Sequence, residues 1–136
     1  MNAASDPETR VSIRGDSDVA RAILHANQMS KAARFQPVDQ SRVATAVSEL
    51  ARNILKYAGH GVITLRPIAD RSRRGMEIVA HDQGPGITDK DRALADHFSS
   101  GGTLGLGLPG VQRMMDEFDL ASEPGVGTRV TVRKWL

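Results

Sequence analysis

Two runs of helical spacing come early in this chain and most of its alternating runs come after them, an order that narrows what it can fold into. Val19, Ala22, Ile23, Ala26, Met29 and Ala33 recur at a helical period, behind turn and N-cap residues Gly15, Asp16, Ser17 and Asp18, and predict a helix over 17–33. Pro37 and Asp39 open a second helix. Its apolar residues Val43, Val47, Leu50 and Ile54 fall in one stripe, and Gly59 ends it after Ala58. Ahead of both helices, Val11 and Ile13 alternate with polar neighbours over Thr9–Arg14. Behind them, Val62, Ile63 and Leu65 run up to Pro67, and Met76, Ile78 and Val79 run up to His81. These read as two strands joined by a loop carrying Arg71, Arg73 and Arg74. A third helix is predicted from Pro109, with Val111, Met114, Met115 and Phe118 on one face. The chain closes through Asp119–Ser122, a turn at 123–127 and a strand carrying Val130 and Val132. Grouped helices and hairpin strands predict an α+β fold: an α/β sandwich with one mixed, mostly antiparallel sheet and the helices packed on one face.

At 136 residues the expectation is one domain spanning 1–136, with residues 1–8 a frayed leader. Lys and Arg number 18 against 16 Asp and Glu, a near balance that does not imply nucleic acid as a partner. No run approaches the roughly 20 apolar residues of a membrane span, and Met1–Arg10 has no signal-peptide apolar stretch, so a cytoplasmic protein is expected. The absence of cysteine removes disulfides, thiol nucleophiles and Cys-ligated metal sites. His25, His60, His81 and His97 are scattered, with none of the paired spacings of a zinc hydrolase.

Chemistry concentrates in four places. Asp82-Gln83-Gly84-Pro85-Gly86-Ile87 follows a strand directly, so a carboxylate stands at the strand end while two glycines let backbone approach a planar ligand; an ordinary Gly-Pro turn with a capping Asp reads equally well. Gly105-Leu106-Gly107-Leu108-Pro109-Gly110 leads into a helix whose N-terminal amides could hold phosphate, or it is a flexible hinge. It spells a dinucleotide fingerprint, but no strand precedes it. Gly84, Gly86, Gly101, Gly102, Gly105, Gly107 and Gly110 place seven of the 13 glycines in this stretch, which predicts a mobile segment with a short helix possible at Asp89–Phe98. In the second helix Glu49 and Asn53 lie one turn apart on a flank of the apolar stripe, with Lys56 after them: either a lined pocket or a solvated face with a Glu–Lys pair. Gly125-Val126-Gly127-Thr128 is a turn whose hydroxyl matters only beside a ligand. The loop at Arg71–Arg74 reads as a solvated hairpin tip, with nucleic-acid contact as the alternative.

Taken in order, Glu49-x-x-x-Asn53-x-x-Lys56-Tyr57, Asp82-x-Gly84-x-Gly86-Ile87, Gly105-Leu106-Gly107-Leu108 and Gly127-Thr128 resemble the boxes of the gyrase, Hsp90, histidine-kinase and MutL superfamily of ATP-binding domains. The resemblance covers residues 9–136 and implies a Bergerat fold. By motif position it implies that Asp82 binds the adenine amino group, with Thr128 in support through water, and that Gly84, Gly86 and Ile87 border the base. It further implies Asn53 on Mg²⁺, Lys56 facing phosphate beside Tyr57, and a lid over Ile87–Leu106 that closes Gly105, Leu106, Gly107 and Leu108 against the phosphates. Thr103 stands where the lid box usually begins with glycine.

The sequence shows no histidine-bearing dimerisation segment before the boxes and none of the added domains of the gyrase and MutL types, so neither a sensor histidine kinase nor those types is expected. The resemblance therefore narrows to the small bacterial partner-switching serine/threonine kinases of the stressosome. Ser48-Glu49-Leu50-Ala51-Arg52-Asn53, Leu108-Pro109-Gly110-Val111 and Lys134-Trp135-Leu136 are similar to theirs. This implies Glu49 as the residue that activates an acceptor hydroxyl, STAS-domain scaffold proteins as substrates, and a PP2C-type phosphatase as a second partner once the kinase is released. Two alternatives stand beside it: an anti-sigma factor kinase that sequesters a sigma subunit, and a nucleotide-dependent regulator with little turnover.

Overall fold

The computed structural model describes residues 8–86 and 107–136. In chain order they form β1 (Thr9–Ile13), α1 (Asp16–Ala32), α2 (Pro37–Tyr57), β2 (Gly61–Ala69), β3 (Arg74–Asp82), α3 (Gly107–Met114), β4 (Glu117–Glu123) and β5 (Gly127–Trp135). The strands make one five-stranded sheet in the order β1-β2-β3-β5-β4. Every described pairing is antiparallel.

The α2 stripe reads out as the sequence predicts. Val43, Ala46, Val47, Leu50, Ala51 and Ile54 are all buried, at the i, i+3, i+4 recurrence that puts one helix face on a core. Burial of a side chain the size of Leu50 stabilises the fold by about 1.5–3 kcal/mol. Opposite them, alternate strand residues turn inward: Val11 and Ile13, Ile63 and Leu65, Met76 and Ile78, Val130 and Val132. Pro67 interrupts nothing, because β1 pairs with β2 only as far as Leu65 and leaves that stretch of β2 an edge. No helix among the described residues is long and apolar enough to cross a membrane.

Local endings differ from expectation in three places. The cap of α1 is Gly15, with no side-chain cap bond; Asp18 instead reaches back to accept the Arg14 amide at 2.9 Å. At the other end, the Phe35 amide donates to the Ser30 carbonyl and the Arg34 amide to that of Lys31. This is the Schellman pattern, with Arg34 at φ 65 in the place glycine usually takes. The third difference concerns Phe118, expected on the face of the third helix. That helix stops at Met114 because the Asp116 amide is taken by the Arg133 carbonyl, and Phe118 enters β4 opposite Val132. Asp119–Ser122 is thus strand, with Phe118 and Leu120 packed on the core.

The face of the sheet away from the helices carries a charged row. Arg66, Glu77, Arg133 and Glu117 are consecutive register partners across β2, β3, β5 and β4. Arg66 Nε donates to Glu77 Oε1 at 2.6 Å, and Arg133 Nε to Glu77 Oε2 at 2.9 Å. Glu77 is only 5% exposed. Burial pushes its carboxyl up, but the two guanidinium groups outweigh that and hold it below the usual carboxylate range. On the helix side, buried Lys134 ties β5 to Asp116 at 3.1 Å and to Asp39 at the start of α2 at 3.6 Å.

Candidate nucleotide-binding site

Asp82 is the last residue of β3, Thr128 is its register partner in β5, and Ser122 of β4 is the register partner of Thr128. By strand alternation all three stand on the helix side, one step beyond the inward residues Ala80, Val130 and Leu120. The sheet therefore ends in a polar row of one carboxylate and two hydroxyls, each half-buried.

Glycine is required around that row. A Cβ on Gly127, where φ is 152, would lie 2.2 Å from the Asp82 carbonyl oxygen. One on Gly86, at φ 77, would lie 2.4 Å from the Glu123 carbonyl oxygen. Gly84 fits between Asp82 and the end of α2, where a side chain would meet Ala58 Cβ at 2.6 Å. The Gly84 amide donates to Asp82 Oδ1 at 2.9 Å, which fixes the carboxylate plane through one oxygen. The Gly125 amide donates to the Pro85 carbonyl at 2.7 Å and clips the turn after β3 to the turn between β4 and β5. Around this clip runs a recess of about 770 Å³ lined by Asp82, Gln83, Ser122, Val126, Thr128 and their neighbours. Neither Glu49 nor Asn53 lines it.

Those two lie on α2, half-buried and one turn apart. Glu49 Oε2 accepts the Gly107 amide at 3.4 Å, joining α2 to the first residue of α3. Lys56 and Tyr57 are exposed in the last turn of α2, with the Lys56 ammonium 5.3 Å from the Tyr57 ring centroid. Leu108 points into the core, so it is the backbone of Gly107 and Leu108 that α3 can offer a ligand. Ile87, Gly105 and Leu106 lie outside the described residues. So do the expected lid, the possible helix at Asp89–Phe98 and most of the expected leader. Ser122 was not evident as a site residue, because nothing local marks a strand serine as the register partner of a residue six positions on.

A family profile described as histidine kinase-, DNA gyrase B- and HSP90-like ATPase matches residues 38–136. The chain belongs to this ATPase family. The likeness read from the four boxes is thereby borne out, and the match takes in Glu49, Asn53, Asp82 and Thr128. Among the chain's relatives, serine/threonine-protein kinase RsbT of Bacillus subtilis is 48% identical over 126 residues, covering 93% of this chain and 95% of RsbT. An anti-sigma F factor of Caldanaerobacter subterraneus is 32% identical over 100 residues, covering 69% of this chain and 68% of its own. In fold, the chain is similar to the SiaB–SiaC complex structure from Pseudomonas aeruginosa, with a TM-score of 0.60 at 14% identity over 96% of this chain and 89% of that one. It is also similar to the RsbU and RsbW domains of a Mycobacterium tuberculosis protein, with a TM-score of 0.63 at 12% identity, covering 94% of this chain and 32% of that longer one.

The residues at this site suit a nucleotide and a divalent cation. The glycines leave bare backbone around Asp82, which a flat base needs. Among the described residues no three His, Cys, Asp or Glu side chains gather as a metal cage. A Mg²⁺ ion, which keeps waters and takes one or two protein oxygens together with phosphate oxygens, matches a single amide ligand such as Asn53.

Proposed function

We propose that this protein is a Mg-ATP-dependent serine/threonine protein kinase of a bacterial partner-switching stress module. It acts in the cytoplasm as one domain, phosphorylates STAS-domain scaffold proteins and, once released from them, activates a PP2C-type phosphatase. The observation that carries this reading is the Asp82–Thr128 row in its glycine cradle, within a chain 48% identical to a serine/threonine-protein kinase over 93% of its length.

Each residue then has a task. Asp82 accepts the amino group of the base through the oxygen that the Gly84 amide leaves open. Asn53 supplies a hard, neutral oxygen to the metal, and Lys56 supplies positive charge toward the phosphates, with Tyr57 beside it. Gly107 and Leu108 offer backbone amides at the start of α3. Glu49 orients the incoming hydroxyl and takes its proton. A bound Mg²⁺ would supply charge neutralisation, and phosphoryl transfer otherwise needs positioning more than covalent chemistry.

The test is incubation of the purified protein with Mg-ATP and a STAS-domain protein, followed by mass spectrometry. A phosphorylated serine or threonine is expected, and its absence with ATP bound would leave a nucleotide-dependent regulator instead. Competition between the STAS protein and the phosphatase should be mutually exclusive; a stable ternary complex would refute the switch. The likeness to anti-sigma F factors at 30–32% identity favours a second reading, sequestration of a sigma factor. Co-purification with a sigma subunit rather than a STAS protein would select it.

A further inference from the structure

Two residues at the end of α2 close on the surroundings of Asp82. Ile54 and Ala58 lie at i and i+4, one turn apart on the same side of the helix end. A Cβ on Gly61 would stand 2.8 Å from Ile54 Cγ2 and 3.2 Å from Asp82 Cβ. A Cβ on Gly84 would stand 2.6 Å from Ala58 Cβ, 3.0 Å from Ala58 Cα and 3.2 Å from Asp82 Oδ1. The methyl of Ala58 therefore rests on the bare Cα of Gly84, the residue whose amide donates to Asp82 Oδ1 at 2.9 Å. Unlike Gly86, Gly84 has no positive φ, so a side chain is barred there chiefly by Ala58 and not by backbone conformation. Ala58 is itself held, since its amide and that of Gly59 both donate to the Ile54 carbonyl at 2.9 Å.

Taking the site to hold a nucleotide, as proposed above, we infer that Ala58 is a positioning residue for base recognition: its methyl seats Gly84, the seated amide fixes one oxygen of Asp82, and the other oxygen is left to the amino group of the base. The contact is one of size, with room for a single methyl between the end of α2 and the turn after β3. Ala58 touches neither base nor phosphate in this account; it acts through Gly84 and Asp82. Glu49 and Asn53 belong to the same helix, so the seat also sets the base-reading carboxylate against the element that carries the proposed metal ligand and acceptor-activating residue.

ATP and purine riboside triphosphate, which lacks the amino group, separate an effect on Asp82 from a general loosening; calorimetry on the full chain measures both. The wild type should prefer ATP. Gly84→Ala forces the collision, and ATP affinity should fall about tenfold, the low end of a hydrogen bond to a charged group, while the analogue holds within about twofold. Ala58→Gly empties the seat and should lower the preference for ATP about two- to threefold. The double variant moves the methyl from one side of the contact to the other, so it should bind ATP about threefold or more better than Gly84→Ala alone, a recovery that independent changes would not give. Amide exchange at position 84, read by NMR without nucleotide, should quicken in each single variant and slow again in the double. A merely structural role would weaken both nucleotides alike. That result, no recovery in the double variant, or unchanged exchange at position 84 overturns the inference while the nucleotide reading stands. A wild type that binds neither nucleotide would overturn both together.

Discussion

Glu49 accepts the backbone amide of Gly107 at 3.4 Å, across the gap between α2 and α3. A carboxylate therefore sits against the helix start that the proposed function gives to phosphate, one turn from Asn53. The two residues should separate in their effects. Asn53→Ala removes the proposed metal ligand and should weaken ATP binding and abolish transfer. Glu49→Gln keeps the shape, loses the negative charge and should hold ATP affinity within about threefold while transfer falls about 10²–10⁴-fold. Nucleotide titrations and partner phosphorylation on both variants check this. Wild-type transfer in Glu49→Gln would reduce Glu49 to a tie between helices.

Gly61 and Gly75 offer a matched pair. A Cβ on either would run into a neighbouring strand's carbonyl, that of His81 at 2.6 Å for Gly61 and that of Lys134 at 2.3 Å for Gly75. Both alanine variants should lose about 1–3 kcal/mol by overpacking. Only Gly61 lies at the Asp82 end of β3, where its Cβ would also press on Ile54 at 2.8 Å and Asp82 Cβ at 3.2 Å. ATP affinity should therefore drop in Gly61→Ala and hold in Gly75→Ala. Equal affinities would mean that Ile54 yields and Asp82 stays in place.

Stability should depend on pH through Glu77. Its folded pKa lies below the ordinary value of 4.5, so the folded state holds the proton less tightly than the unfolded chain does. The contribution is complete above pH 4.5 and is lost as pH falls through the folded value. Glu77→Gln breaks the ion pairs to Arg66 and Arg133, which keep contact with solvent, and should cost about 1–3 kcal/mol at neutral pH. Denaturant melts between pH 3 and 7 should show the wild type and variant converging at the acid end; a constant gap would assign the loss to packing.

Arg34 is a site for gain. A non-glycine residue in the left-handed region costs roughly 1–2 kcal/mol, and glycine recovers part of that while adding freedom to the unfolded chain. Arg34→Gly should raise stability by about 0.5–1 kcal/mol, visible as a higher Tm, whereas Arg34→Ala should not. If glycine lowers the Tm, the arginine side chain contributes more than its backbone costs.

The parts legible in the sequence are those encoded by local period. The Val43–Ile54 stripe, the Gly59 stop and the paired strands follow from spacing alone. Phe118 misled because Val111, Met114, Met115 and Phe118 do recur at helical spacing, and what ends the helix is a carbonyl 17 residues on, at Arg133. Asp82 and Thr128 could be picked out from their glycine neighbours. Ser122 could not, since its meaning lies in a register that only the folded sheet defines.

Strand order gives the site an assembly rule. β5 follows every other described element in sequence yet lies between β3 and β4. The helices, β1, β2 and β3 can associate through the hairpin and helix contacts available to them earlier, but the polar row of Asp82, Thr128 and Ser122 needs the final insertion. A chain stalled before that step presents Asp82 without Thr128 or the register that aligns it with Ser122. On the proposed reading, nucleotide binding would therefore double as a readout of topological completion, since only a chain whose sheet has closed carries the whole row.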